Sequence, residues 1–350
     1  MKAFYSDTFV LPLPDHHRFP MAKYRLLRER LVAEGILSAA DLEIPESISW
    51  DDLRLVHDAG YVDAVGAGTL SADAQRRIGF PWSPMMVERS RRSVGATLAA
   101  ARESIERRAA LSAPPTGRGP DAFAVSPLRR ASPQLAEFSG EQRRERPALH
   151  ASCNLAGGTH HAFRDRGEGY CVFNDVAVAA AVLLRDGAIA RAAVIDCDVH
   201  QGNGTAAIFR DEPSVFTFSM HGANNFPFRK ETSDLDVTFD DGAGDDDYLA
   251  ALTRHLPGVL DGHRPDIVFY LAGADPYEGD RWGRLKLTID GLRQRDAIVF
   301  DACHARGLPV VVTMAGGYAR DVDAIVTIHA STIRVAVSHA EHRAAENGGQ

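Results

Sequence analysis

Four short runs in the second half of the chain are almost continuously apolar: AAVI at 192–195, VFTF at 215–218, IVFYL at 267–271 and VVVT at 310–313. A strand with one wet face alternates polar and apolar residues. Runs like these, apolar on both faces, predict strands buried on both sides of a parallel sheet. Between them, residues 176–184, 246–260 and 289–306 are rich in Ala, Leu and Arg and predict helices. Strand alternating with helix predicts an α/β fold, a mainly parallel central sheet flanked by helices. Two weaker strands, at 2–5 and 152–155, are expected to extend the sheet.

One segment breaks the pattern. Residues 107–146 are rich in Pro, Ser, Ala and Arg, with eight arginines against four acidic residues, a local charge of +4. The stretch offers no apolar period to pack, so its middle, about 110–147, is expected to be a mobile surface insertion in a single domain spanning 1–340. A solvated loop is its ordinary reading, and docking of a partner is the rarer one.

Each apolar run ends in polar residues that packing does not require. AAVI leads into Asp196-Cys197-Asp198-Val199-His200, VFTF into Ser219-Met220-His221, IVFYLAGA into Asp275, and VVVTMAGG into Tyr318. In open parallel sheets a ligand sits outside the carboxyl ends of the strands, so residues from four strand ends are expected to share one pocket. Side chains alternate along an extended chain, so Asp196, Asp198 and His200 are expected to point to one face and Cys197 and Val199 to the other. Two carboxylates and an imidazole together are costly unless a cation or other partners satisfy them. Asp198, His200 and Asp275 would offer two oxygens and one nitrogen and leave positions open for water and substrate, as a catalytic zinc site does. A lone DxDxH is explained as well by turn capping and a satisfied loop histidine; Asp275 at a second strand end weakens that explanation.

Gly157-Gly158-Thr159-His160-His161 places two imidazoles, which exchange protons near neutral pH, behind a glycine pair that lets backbone approach a ligand. Adjacent histidines are commonly a surface pair, as His16-His17 illustrates. Gly316-Gly317-Tyr318, by itself, is a turn followed by a packed tyrosine.

With 350 residues and 45% hydrophobic content the chain has material for a large core. A net charge of -8 lends no support to a nucleic-acid partner, which calls for a basic face. Cys153, Cys171, Cys197 and Cys303 show no CxxC pairing, which suits reduced thiols rather than a disulfide framework. The first twenty residues lack a secretory apolar core, and no apolar stretch reaches the roughly 18 residues of a membrane span. A cytoplasmic protein without a membrane partner is the expectation.

Taken together, GGTHHAF (157–163), GYCVFND (169–175), DCDVHQGNGT (196–205), SMH (219–221), LAGADPYEGD (271–280) and AGGY (315–318) resemble the zinc-dependent histone deacetylase family in order and spacing. The QGNG and GADPYEGD variants look most like its class IV branch and bacterial relatives. The likeness runs from about Phe4 to His329, interrupted by the arginine-rich segment. It implies the arginase–deacetylase fold, with one zinc ion held by Asp198, His200 and Asp275. It implies His160 and His161 as a catalytic dyad, Asp196 hydrogen-bonded behind His160, and Tyr318 as the tyrosine that stabilises the transition state. In class I members an aspartate backs the second histidine; Asn203 stands there in this chain, so His161 is expected to be less basic than its class I counterpart. The resemblance also implies a structural potassium ion near Asp196, Asp198, His200, Ser219 and Met220. Gly169 and Tyr170 would line an acyl-lysine tunnel, with Phe226 opposite and Arg281-Trp282 at the gatekeeping position.

The chemistry so implied is metal-assisted amide hydrolysis, and zinc is preferred to iron by resemblance alone. Three readings follow. The first is removal of acetyl or other acyl groups from lysine side chains. The second is a small-molecule deacetylase acting on acetylpolyamines, which would need an acid at the rim; Arg281 and Trp282 disfavour it, although Glu278 could serve as that acid. The third, a catalytically silent binding module, would show a lost ligand, dyad member or tyrosine, and none is lost.

Overall fold

The computed structural model describes residues 1–112 and 150–341. The insertion expected at about 110–147 therefore lies outside the described residues except for its first few positions. Eight strands form one sheet: β1 (Ala3–Phe4), β2 (Leu42–Glu43), β3 (Ala151–Asn154), β4 (Ala192–Asp196), β5 (Val215–Gly222), β6 (Leu235–Phe239), β7 (Ile267–Leu271) and β8 (Val310–Thr313). Their spatial order is β2-β1-β3-β8-β7-β4-β5-β6. Every neighbouring pair among them is parallel, so the sheet is parallel throughout.

Alternation along the strands explains why the runs had to be apolar at every position. In β4, Ala193 and Ile195 enter one buried cluster while Ala192 and Val194 enter another; in β7, Val268 and Tyr270 part from Ile267, Phe269 and Leu271 in the same way. One face is covered by helices Ala22–Ala33, Asp245–His263, Ile289–His304 and Val322–Glu341, which contribute Leu27, Leu252, Val299 and Ile325. The other is covered by Pro84–Ser112, Asp175–Arg185 and Asn203–Phe209, which contribute Val94, Val178 and Ile208. With both faces covered, a core side chain such as Phe269 has nowhere to relax, and truncating it to alanine should cost about 3–5 kcal/mol.

The four central strands, in spatial order β3, β8, β7 and β4, are contiguous. Their carboxyl ends carry the 157–161 loop, the 315–318 loop, Asp275 and the 196–200 segment. The topology therefore gathers on one edge residues separated by more than a hundred positions in sequence.

Candidate active site

Strand β4 ends at Asp196, and the chain does not stay extended to His200 as alternation would require. It folds through two tight turns held by its own carboxylates: Asp196 Oδ1 accepts the Asp198 N–H at 3.1 Å, and Asp198 Oδ1 accepts the His200 N–H at 2.9 Å. Asp196 is thereby directed to His160, not to the cluster beside it. Asp198, His200 and Asp275 do converge. One ligand atom from each lies within 4.8 Å of the others, and all three side chains are buried.

Most of this cluster is already satisfied. Asp198 Oδ2 accepts the Gly316 N–H at 2.8 Å, and Asp275 Oδ1 accepts the Val199 N–H at 3.0 Å. His200 Nδ1 lies 2.9 Å from Asp198 Oδ1 and 3.2 Å from Asp275 Oδ2. Asp275 Oδ2, fully buried, accepts no well-formed hydrogen bond among the described residues, its one close polar neighbour being that imidazole nitrogen. A buried carboxylate oxygen left in that state is unfavourable, and a cation in the cluster resolves it. Two oxygens and an imidazole nitrogen suit a divalent ion of the zinc or iron type. Gly316 is the backbone's contribution: a Cβ there would fall 1.8 Å from Asp275 Oδ2, so no other residue lets the chain come this close.

The charges of the cluster act strongly on one another. Burial opposes a charged His200, but Asp198 and Asp275 outweigh it and hold the imidazole up at about 10. Burial and the neighbouring Asp198 push Asp275 up to about 7. A dication at this point would reverse both preferences, since the ion is then the largest local charge.

The histidine pair is built by the loop after β3. Gly157 and Gly158 have φ of +75° and +74°, and Asp175 accepts from the Gly158 and Thr159 N–H groups at 3.1 and 2.7 Å. The rings of His160 and His161 then lie 4.2 Å apart, but their partners differ. His160 Nδ1 donates to Asp196 Oδ2 at 2.7 Å, while His161 Nδ1 is paired with Asn203 Oδ1 at 2.7 Å. Burial disfavours a charged His160, yet Asp196 and Asp198 overcome it and raise the imidazole to about 9. His161 has only a neutral amide behind it. Burial, then the charges of His160 and His200, hold it well below its usual value.

These groups open onto one cavity of about 630 Å³. His160, His161, Asp198, His200 and Tyr318 line it, as do Gly169, Tyr170, Phe226 and Trp282; Asp196 and Asp275 are buried and do not line it. Phe226 packs on His161 at 5.0 Å, and Tyr170 stacks on Trp282 at 6.0 Å. Tyr318 packs on Trp282 at 4.5 Å, with its backbone N–H fixed by Asp280 Oδ2 at 2.6 Å. Burial and the carboxylates of Asp275 and Asp198 push its phenol well above its ordinary value, so the hydroxyl keeps its proton. Ser219 is the register partner of Asp196 across β4 and β5, and its hydroxyl lies 3.0 Å from His221 Nδ1.

Sequence reasoning missed part of the wall. Phe19, Tyr24, Arg76, Arg77 and Phe228 also line the cavity, and Arg284 joins Arg281 there. The first four come from segments before residue 80 that carry no motif; only tertiary placement identifies them. Glu278 is exposed and does not line the cavity.

A parallel sheet with a buried Asp-His-Asp cluster and a histidine pair at its carboxyl edge is the framework of a metal-dependent hydrolase. The family profile described as "Histone deacetylase domain" matches residues 17–333. The chain belongs to the histone deacetylase family and is a deacetylase of the hydrolase class. An uncharacterized protein of Picosynechococcus sp. is 40% identical over 95% of this chain and 97% of its own length. A histone deacetylase-like amidohydrolase of Pseudomonas aeruginosa is 29% identical over 87% of this chain and 72% of its own. The crystal structure of the HDA15 HD domain superposes with a TM-score of 0.73 over 97% of this chain and 89% of that one, at 20% identity, which bears on the fold.

Proposed function

We propose that this protein removes acetyl or other acyl groups from lysine side chains, or from a related amine, with zinc held by Asp198, His200 and Asp275. The observation that carries the proposal is the convergence of three mutually close ligand atoms, a histidine pair and a phenol at one cavity. A divalent ion bound there supplies Lewis acidity to the acyl carbonyl and to the attacking water.

The remaining work falls to the side chains. His161, its Nδ1–H committed to Asn203, presents Nε2 as an acceptor and takes a proton from the attacking water. The Tyr318 hydroxyl donates to the oxygen that becomes negative as the carbonyl carbon turns tetrahedral. A protonated histidine of the pair then gives its proton to the nitrogen as the C–N bond breaks, so that carboxylate and amine leave. His160 is the member that Asp196 keeps charged. Tyr170, Trp282 and Phe226, with Gly169, form the walls against which the aliphatic stem of the substrate packs. Potassium near Asp196, Asp198, His200, Ser219 and Met220 belongs to the same proposal, as the ion that fixes β4 against β5.

An acylated lysine is favoured over an acetylpolyamine because, among the described residues, Asp198 at the floor is the one acid that lines the cavity. A cytoplasmic setting is supported by four cysteines that are all free and buried. Among the described residues no helix is long and apolar enough to cross a membrane. The test is a substrate panel on zinc-loaded protein, comparing acetyl- and longer acyl-lysine peptides with acetylpolyamines and using Tyr318→Phe as the blank. Turnover of acyl-lysine peptides that Tyr318→Phe lacks supports the proposal; turnover of polyamines alone replaces it with the second reading.

A further inference from the structure

The cavity's charged lining differs between floor and mouth. At the floor lie Asp198 and the histidines. Among the other lining residues every formally charged side chain is an arginine: Arg76, Arg77, Arg281 and Arg284. All four are exposed. Such a rim does not follow from composition, since the chain carries a net charge of -8.

The rim is neutralised from outside only in part. Arg76 is paired with Asp73, and Arg284 with Asp241 at 2.9 Å. The guanidinium groups of Arg77 and Arg281 have no hydrogen-bond or ion-pair partner among the described residues. They come from different segments: Arg77, whose carbonyl accepts the Gly169 N–H at 3.1 Å, from helix Ala72–Ile78, and Arg281 from the loop after β7. Trp282, the residue next to Arg281, stacks on Tyr170, the residue next to Gly169, so the two arginines flank one aromatic wall. A second concavity beside this wall, sharing Arg281 and Trp282, adds Arg18 and Arg320. Its acids, Asp280 and Asp321, accept three and one backbone N–H groups, and neither forms an ion pair with these arginines among the described residues.

We infer that the mouth selects acylated amines carrying a carboxylate on the amine side, an acyl-lysine with acidic neighbours in sequence being the form this geometry suits. This deepens the deacetylase reading and rests on it. The lysine stem occupies the aromatic tunnel, and groups next to the lysine reach the rim, where two unpaired guanidinium groups meet carboxylates with bidentate geometry and repel ammonium groups. A cleft lined by one sign of charge raises the local concentration of the opposite sign, and the effect fades with salt.

The experiment compares three acetyl-lysine peptides that are identical except for Glu, Gln or Lys at the flanking positions. Each is measured on zinc-loaded wild type, on Arg77→Gln/Arg281→Gln and on Arg77→Glu/Arg281→Glu. A parallel arm uses α-amino-blocked acetyl-lysine with its carboxyl group free or amidated, to separate a small anionic substrate from an acidic peptide. The expected kcat/KM for the Glu peptide exceeds that for the Lys peptide by about tenfold at low salt, the ratio collapsing to within about twofold at high salt and in the Gln variant. In the Glu variant the order inverts. Equal kcat/KM for the Glu and Lys peptides on wild type, or a preference untouched by both variants, overturns the inference while leaving the deacetylase reading intact. Fluorescence anisotropy of the labelled peptides reads the same preference without turnover. If no peptide is hydrolysed, the deacetylase reading fails, and the binding order still decides for or against the rim.

Discussion

His160 and His161 are adjacent and 4.2 Å apart, yet one is backed by the carboxylate of Asp196 and the other by the amide of Asn203, each at 2.7 Å. The pair is electrostatically asymmetric by construction. The difference lies in a single residue, because Asn203 opens the helix Asn203–Phe209 at a point where an aspartate would fit the same space.

Asn203→Asp should therefore make His161 more basic, since a neighbouring negative charge favours the imidazolium. On the proposed assignment, the acid limb of kcat/KM reports deprotonation of this base. The limb should move to higher pH, by about one unit or more, with slower turnover below neutrality and little change on the alkaline side. A pH profile of the variant against wild type tests it. An unmoved acid limb would take His161 out of the role of base.

Tyr318→Phe removes one hydroxyl and keeps the ring that packs on Trp282 and Tyr170. Loss of one donor to a developing oxyanion typically lowers turnover a hundred- to thousandfold. At least about a tenfold fall in kcat is expected here, with unchanged zinc content by metal analysis. Near-normal kcat would free Tyr318 from that role.

Asp275→Ala removes the one carboxylate oxygen of the cluster that accepts no well-formed hydrogen bond among the described residues, and leaves two of the three ligands. Two ligands seldom retain zinc. The variant should purify without stoichiometric metal while keeping its circular dichroism. Full occupancy in a folded variant would show that the ion is held elsewhere.

The strands β4, β5, β7 and β8 were legible because burial on both faces leaves an unbroken apolar run, and the site was legible because polar residues follow those runs. Edge strands escaped that logic. Residues 235–239 (LDVTF) in β6 alternate apolar and polar and only Phe239 among them is buried, so they lack the unbroken apolar run that marked the central strands. Helix Val322–Glu341 also carries no clear signal: its valines, isoleucines and threonines favour strands, and packing against helices Ala22–Ala33 and Ile289–His304 overrides that preference. Within the site, Asp198 and His200 meet Asp275 through carboxylate-held turns rather than through strand alternation. The grouping was readable, but its local cause was not. Arg76 and Arg77 sit on a short helix with no motif, and no pattern in sequence says that its end faces the tunnel.

His57 supplies a test of the fold that is independent of any metal. It is buried, its Nδ1 2.8 Å from the Phe163 carbonyl and its Nε2 accepting the Asn174 N–H at 3.0 Å, so it ties the end of the 157–163 loop to the start of helix Asp175–Arg185. Protonation of Nε2 would destroy the second bond and bury a charge. Burial accordingly holds this histidine down at about 4, below its ordinary 6.5. The unfolded chain takes up the proton first as pH falls. The contribution is therefore complete above pH 6.5 and is lost as pH drops toward 4, amounting to about 3 kcal/mol over that window. His57→Gln keeps one donor and one acceptor but cannot titrate. The variant should be less stable than wild type at pH 7.5 and lose less on acidification, so the gap between their urea midpoints narrows between pH 6.5 and 4.5. Other buried histidines lower both proteins alike, so the comparison isolates His57. A gap that stays constant across that range would mean that His57 is not held neutral by the fold.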